Sequence, residues 1–247
     1  MLTNARFSTP SMNNRLSTVQ FQHPDQGRGK QRTMAQRVLL VSSLILIPLF
    51  TCSALVDNSM LTDLKSKYGK RAQKRGVELQ KLLAELKNAD TKTKLKKVND
   101  HFNKFTYRSD KEFWGEKDYW ATPIEFIGRA GGDCEDYVIS KYFALRSLGI
   151  PDKKLFLTYA KATKQKIPHM VLNYFETPKS MPLVLDNYDK RLLPANKTVN
   201  LKPIYSFNAD SLFLANPSAG LGKSLPTDKI KNSKWDKLLS DVRSKKS

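Results

Sequence analysis

Histidine and cysteine are scarce in this chain, three and two respectively among 247 residues. Cys52 lies inside an apolar run, so if that run is removed Cys134 is the one thiol left and no internal disulfide can form. No Cys/His cluster has zinc-ligand spacing, and no glycine-rich phosphate loop occurs. Acids are also few, 23 against 43 Lys and Arg, giving a net charge of +20 that points to anionic partners: nucleic acid, a membrane surface or an acidic protein. Internal repeats and low-complexity tracts are missing. Apolar residues are not in short supply, at 40% with 10% aromatic, which suits a packed core of one domain plus extras.

The N-terminus divides in two. Residues 1–33 are polar and without helical or strand period, either a disordered extension or sequence upstream of a true start at Met34. Met34-Ala35-Gln36-Arg37 is a short charged region, Val38 to Phe50 a nearly continuous apolar run, and small residues precede a plausible cut after Ala54. Residues 34–54 therefore have the layout of a secretory signal peptide. An uncleaved anchor is the rival, although the run is short of the ~20 apolar residues a span needs. A lipoprotein site at Cys52 fits less well, with bulky Phe50 where a small residue is expected. Six basic residues and one acid lie in the first 54 positions, so export leaves 37 basic and 22 acidic residues, about +15. A basic exported protein points away from nucleic acid and towards envelope or acidic protein partners.

Downstream, apolar spacing predicts a helix from Asn58 to Leu86, weakened at Gly69 and Gly76, and a second from Thr91 through Phe102 and Phe105. Lys92, Lys94, Lys96 and Lys97 on the second helix form a solvated face, and His101 reads as a surface or capping histidine. Tyr107 to Trp120 reads as an aromatic loop. Thr122-Pro123 is an N-cap followed by a first helical residue. A helix follows Cys134 to Leu148, stopped by Gly149 and Pro151. Strand candidates cover 155–160, 169–175, 183–186, 205–207 and 212–214. Residues 55–226 form the domain and 227–247 a basic C-terminal helix or tail around Trp235. Helices first and an antiparallel meander afterwards is an α+β arrangement.

The chemistry gathers at Gly131-Gly132-Asp133-Cys134-Glu135-Asp136. A thiolate is the reactive form of cysteine, and a helix N-terminus lowers a thiol's pKa; a lone cysteine is otherwise often a small buried hydrophobe. His169 is the natural base. Asp186 ends the next strand candidate, and pairing the two residues closes a hairpin centred near Thr177-Pro178, where the turn is. Asp189 competes as a third member. Asp133, Glu135 and Asp136 would raise the thiol pKa by like-charge repulsion. They are either cap and first-turn dipole partners, which the pattern alone suits slightly better, or ligands of a hard cation such as Ca2+.

Several segments are similar to the bacterial transglutaminase-like cysteine proteinases, the LapG family: Trp120 to Phe126, Gly131 to Asp136, Lys141-Tyr142, His169 to Leu172 and Pro182 to Asn187. The similarity covers Asp57 to Phe213. Cys, His and Asp appear in family order, separated by 35 and 17 residues. The resemblance implies a papain-like, transglutaminase-like fold, with N-terminal helices and a nucleophile at a helix N-terminus packed on an antiparallel sheet. It implies a periplasmic, calcium-dependent endopeptidase that cuts a large surface adhesin near its N-terminus, at a paired-alanine site, and so disperses a biofilm. It also implies sequestration by an inner-membrane receptor for cyclic di-GMP. By position Cys134 is nucleophile, His169 base and Asp186 orienter, with Asp133, Glu135 and Asp136 at the calcium site. The Cys134 N–H would be one oxyanion donor, with Trp114 and Trp120 candidates for the second. A transglutaminase-type acyl transferase and a noncatalytic basic module for an acidic envelope protein are the alternatives.

Overall fold

A computed structural model of the chain describes residues 54–209, 211–216, 220–226 and 233–244. The N-terminal extension and, Ala54 apart, the expected signal peptide lie outside the described residues. Among those described, no helix is long and apolar enough to cross a membrane.

The expected first helix is two. α1 (Asn58–Tyr68) starts on Asp57, whose side chain accepts from Met60 N at 2.8 Å, and ends at Gly69. There φ is +86°, a conformation that costs a residue with a Cβ and stops the helix. α2 (Lys70–Leu86) follows. Gly76, a weak helix former, is where α2 meets α1: a Cβ there would come within 2.5 Å of Leu64 Cδ1. α3 (Thr91–Phe102) starts as expected, on an Asp90 cap. Lys92, Lys96 and Lys97 are exposed as a solvated face should be, while Lys94 Nζ reaches Leu148 O at 3.0 Å.

The rest of the chain builds a seven-stranded antiparallel sheet in the order β6-β5-β4-β3-β7-β8-β9. Its strands are β3 (Leu155–Ala162), β4 (Ile167–Tyr174), β5 (Leu183–Leu185), β6 (Leu193–Pro194), β7 (Leu201–Phe207), β8 (Leu212–Ala215) and β9 (Leu221–Leu225). The two-residue β6 and polar β9 carried no apolar alternation to reveal them. The β4–β5 register differs from the expected one. Leu172 opposes Leu185 and Tyr174 opposes Leu183, so one further step sets Asp186 against Val171 and not His169. The slip is two residues, which keeps both side chains on one face and makes them diagonal neighbours; a slip of one would have parted them.

α6 (Cys134–Ser147) is buried along most of its length, from Glu135 to Tyr142 and again at Ala144 and Leu145. It packs between the sheet, chiefly β4, and the helices α3 and α5 (Pro123–Arg129). α5 begins with the expected Thr122-Pro123, and Glu125 caps back onto Thr122 N at 2.8 Å. The C-terminal helix α7 (Ser233–Ser244), set apart from the domain on sequence, is packed against it: Trp235 and Leu238 are buried, and the Trp235 ring meets Tyr142, Phe143 and Phe207.

Candidate active site

The glycine pair before Cys134 is required by close approach. Gly131-Gly132 is a short strand, β2, running parallel to β1 (Thr106–Tyr107). A Cβ on Gly131 would lie 2.1 Å from Thr106 O, and one on Gly132 2.2 Å from Asp136 Oδ2. The two short strands thus deliver the chain to α6 with Cys134 as its first residue and Asp133 as its N-cap.

The acids beside Cys134 do more than cap. Asp133 and Asp136 are disposed as a capping box, but the return bond from Asp133 N to Asp136 Oδ2 is long, 3.4 Å, and Asp133 Oδ1 is buried with no hydrogen-bond partner among the described residues. Asp136 Oδ1 instead accepts from Ala121 N at 2.7 Å. A fourth acid joins them. Asp110 opens the short helix α4 (Asp110–Phe113), inside the stretch expected to be a loop, and its Oδ2 accepts from Tyr119 N at 2.5 Å. Its Oδ1 is buried and without a partner among the described residues. Oxygens of Asp110, Asp133 and Asp136 lie within 4.8 Å of one another, as do ligand atoms of Asp133, Cys134 and Glu135.

Such a cluster resists ionisation. Burial, then the charges of Glu135 and Asp136, pushes the Asp133 carboxyl up to about 10. Burial pushes Asp110 up to about 6, and burial likewise raises Asp136. The Cys134 thiol is raised by burial and then by Glu135 and Asp133, and it donates to Glu135 Oε2 at 3.0 Å. Oxygen donors crowded in this way, two of them buried and unpartnered, suit a hard divalent cation, which would reverse the local field. Asp110 was not legible as a member: it lies 23 positions before Asp133, and one acid at a helix start carries no ligand pattern.

The other half of the site is on the sheet. His169 Nε2 meets Asp186 Oδ1 at 2.8 Å, with both side chains buried. Burial raises Asp186, but hydrogen bonding and attraction from His169 outweigh it, and the carboxyl ends below its ordinary value. An ionised carboxylate can only accept, so Nε2 carries a proton, and whenever the ring is neutral Nδ1 holds the lone pair. Nδ1 is buried and has no partner among the described residues. β4, the strand that carries His169, packs against α6, and the backbone at Met170 acts on the Cys134 thiol in the direction that lowers its pKa. Tyr188 lies flat on the imidazole, its ring centroid 4.1 Å away at 13°, and its N–H donates to Asp186 Oδ1 at 2.9 Å.

The other candidates have different surroundings. Asp189, the competing acid, is paired with Arg191 at 2.7 Å on the surface. Trp120 spends its indole N–H on Asp118 Oδ1 at 3.0 Å and so has none to offer an oxyanion. Trp114 packs against Tyr119 beneath the Arg129 guanidinium, with its indole N–H buried and without a partner among the described residues. His101 packs edge-on to Phe102 and Phe105, and burial lowers its pKa.

Comparison with known proteins gives a consistent picture. The family model of the bacterial transglutaminase-like cysteine proteinases matches residues 66–202. The calcium-bound structure of Legionella pneumophila LapG shares 37% identity, covers 76% of this chain and 99% of its own, and superposes with a TM-score of 0.65. The EGTA-treated structure of the same protein also shares 37% identity, over 76% of this chain and 97% of its own, with a TM-score of 0.66. A search of curated proteins found no match.

Proposed function

The chain belongs to the bacterial transglutaminase-like cysteine proteinases, and from that premise we propose that it is a calcium-dependent endopeptidase working through Cys134, His169 and Asp186. The observation that carries the triad is the state of His169. One ring nitrogen is engaged by Asp186, while the other is buried and unpartnered among the described residues, on a strand that packs against the helix Cys134 opens.

His169 Nδ1 takes the thiol proton, and the thiolate attacks the scissile carbonyl carbon. The carbonyl electrons move to oxygen, where the Cys134 N–H at the start of α6 is one donor. They return as the C–N bond breaks, and His169 gives its proton to the leaving amine. Water, deprotonated by His169, then attacks the thioester; the acyl–sulfur bond breaks, the acid is released and the thiol is restored. Asp186 holds the imidazole in the productive tautomer and balances the imidazolium charge.

Asp110, Asp133, Glu135 and Asp136 would hold Ca2+, which supplies the positive charge that lets these acids ionise beside a thiolate. The LapG neighbour solved with calcium supports that choice of ion. The sequence resemblance supports a large surface adhesin as substrate, cut at paired alanines, and an inner-membrane cyclic di-GMP receptor as regulator. The layout of residues 34–54 supports the periplasm.

The test is incubation with the N-terminal region of a candidate adhesin from the same genome. Native protein cleaves it, EGTA stops cleavage, added Ca2+ restores it, and Cys134→Ala folds but does not cut. Cleavage by Cys134→Ala would overturn the mechanism. Amine incorporation into glutamine without hydrolysis would make the chain an acyl transferase, and binding without turnover would make it a noncatalytic module.

A further inference from the structure

One buried amine has no part in the mechanism so far. Lys141 is fully buried in the middle of α6, seven residues after Cys134 and so on the same face of the helix. Its Nζ donates to the main-chain oxygen of Asp186 at 3.2 Å. Asn103, the C-cap of α3, donates Nδ2 to the same oxygen at 2.8 Å. The two donors use both lone pairs of one carbonyl. The Asp186 carboxylate is meanwhile held by Tyr188 N–H and His169. Asp186 sits one residue past the last paired residue of β5, where no described ladder bond fixes its main chain. The two side chains supply what the ladder does not.

A lysine is an expensive way to fill such a position. Burial brings its amine down to about 7, opposed by the charge of Asp186. Methionine would occupy the same volume without that penalty.

We propose that Lys141 is a positioning residue: with Asn103 it fixes the main chain at Asp186, so that the carboxylate meets His169 Nε2 and leaves Nδ1 to the thiol. This rests on the triad assigned above. The experiment needs no knowledge of the substrate: the rate at which iodoacetamide alkylates Cys134 at neutral pH in excess Ca2+, read by mass spectrometry of the Cys134 peptide. Alkylation reports the thiolate that His169 sustains.

Lys141→Met should slow alkylation about tenfold or more, the scale at which outer-shell partners act. Its melting midpoint should be no lower than the native one, because Asn103 still satisfies the carbonyl and the buried amine is gone. Asn103→Leu should slow alkylation in the same direction. Adding Lys141→Met to Asp186→Asn should slow it no further. A native rate in Lys141→Met, a variant too unstable to assay, or effects that multiply with Asp186→Asn would each overturn the proposal. A native rate in Asp186→Asn would instead overturn the triad, and this inference with it. Slow Asp186→Asn beside fast Lys141→Met would remove the inference alone.

Discussion

The two halves of the site are built on opposite plans. Around His169, the residues Asp186, Tyr188, Asn103 and Lys141 are joined by direct hydrogen bonds; Asn103 Oδ1 and one imidazole nitrogen are left without a partner among the described residues, and that nitrogen is the one the proposed chemistry would use. At the start of α6 Asp133 and Glu135 crowd the thiol and Asp110 and Asp136 crowd Asp133, burial and mutual repulsion raise Asp110, Asp133 and Asp136, and two oxygens are buried and unpartnered among the described residues. The protein alone prearranges the proposed base; the surroundings of the proposed nucleophile would be balanced by added positive charge. A thiol that donates to Glu135 is poorly placed to give its proton to His169, so under the proposed function the second half is where an ion would switch activity.

The largest break falls on the sheet side. Asp186→Asn should reduce kcat by on the order of 10⁴, because the amide favours the wrong imidazole tautomer, with no rescue by excess Ca2+. Steady-state cleavage of the adhesin fragment checks this, and recovery at high Ca2+ would merge the two halves that the geometry separates.

The next break falls on the helix side. A ligand that binds only the folded state raises the melting midpoint, by roughly 5–10 °C at a hundredfold excess over Kd in a domain of this size. The native protein should show such a rise on adding Ca2+. Asp110→Asn should lose most of it and need more Ca2+ for half-maximal activity, while at saturation its rate returns towards native. An undiminished shift in Asp110→Asn, followed by differential scanning calorimetry, would remove Asp110 from the site.

The contrast also governs what could be read from the chain. Cys134, His169 and Asp186 could be picked out as candidates because each lies at or near the end of an element: a glycine pair before a helix, a proline at the second position of a strand that begins two residues earlier than expected, an apolar triplet before an acid. The hairpin register was off by two residues, and the inference survived because strand faces repeat with that period. Asp110 was hidden because its membership depends on the fold bringing α4 to α6, across a stretch whose aromatics suggested a loop. Lys141 was visible as part of the family-like pair Lys141-Tyr142, but its part in the site was not: its burial follows from α6 being buried nearly all round, which no local pattern shows.

That buried lysine gives a smaller effect with a definite sign. Its amine titrates near 7 in the folded chain, below its ordinary 10.5. Between those values the unfolded chain binds the extra proton, so this group makes the fold more stable as pH rises through the window, and its penalty is complete below about 7. Lys141→Met removes that contribution. Urea midpoints from pH 6 to 10 should show the gap between Lys141→Met and native protein, largest at the acid end and closing steadily above about 7, where only the unfolded chain still holds the proton. A gap that does not change with pH would mean that the amine titrates normally and sits in water.

The smallest effect sharpens the assignment of the third member. Asp186 and Asp189 share one short segment, yet one is buried against His169 and the other pairs with Arg191 at the surface. Asp189 is held below its ordinary pKa by that arginine, but a solvated ion pair of this kind contributes little. Asp189→Asn should therefore leave kcat/KM within about twofold and move the melting midpoint by no more than about 2 °C. It should leave Ca2+ dependence unchanged, because Asp189 belongs to neither half of the site. If Asp189→Asn were to lose activity as Asp186→Asn does, the hydrogen bond between His169 and Asp186 would be structural, and the orienting carboxylate would have to be sought among acids that the loop after β5 can move.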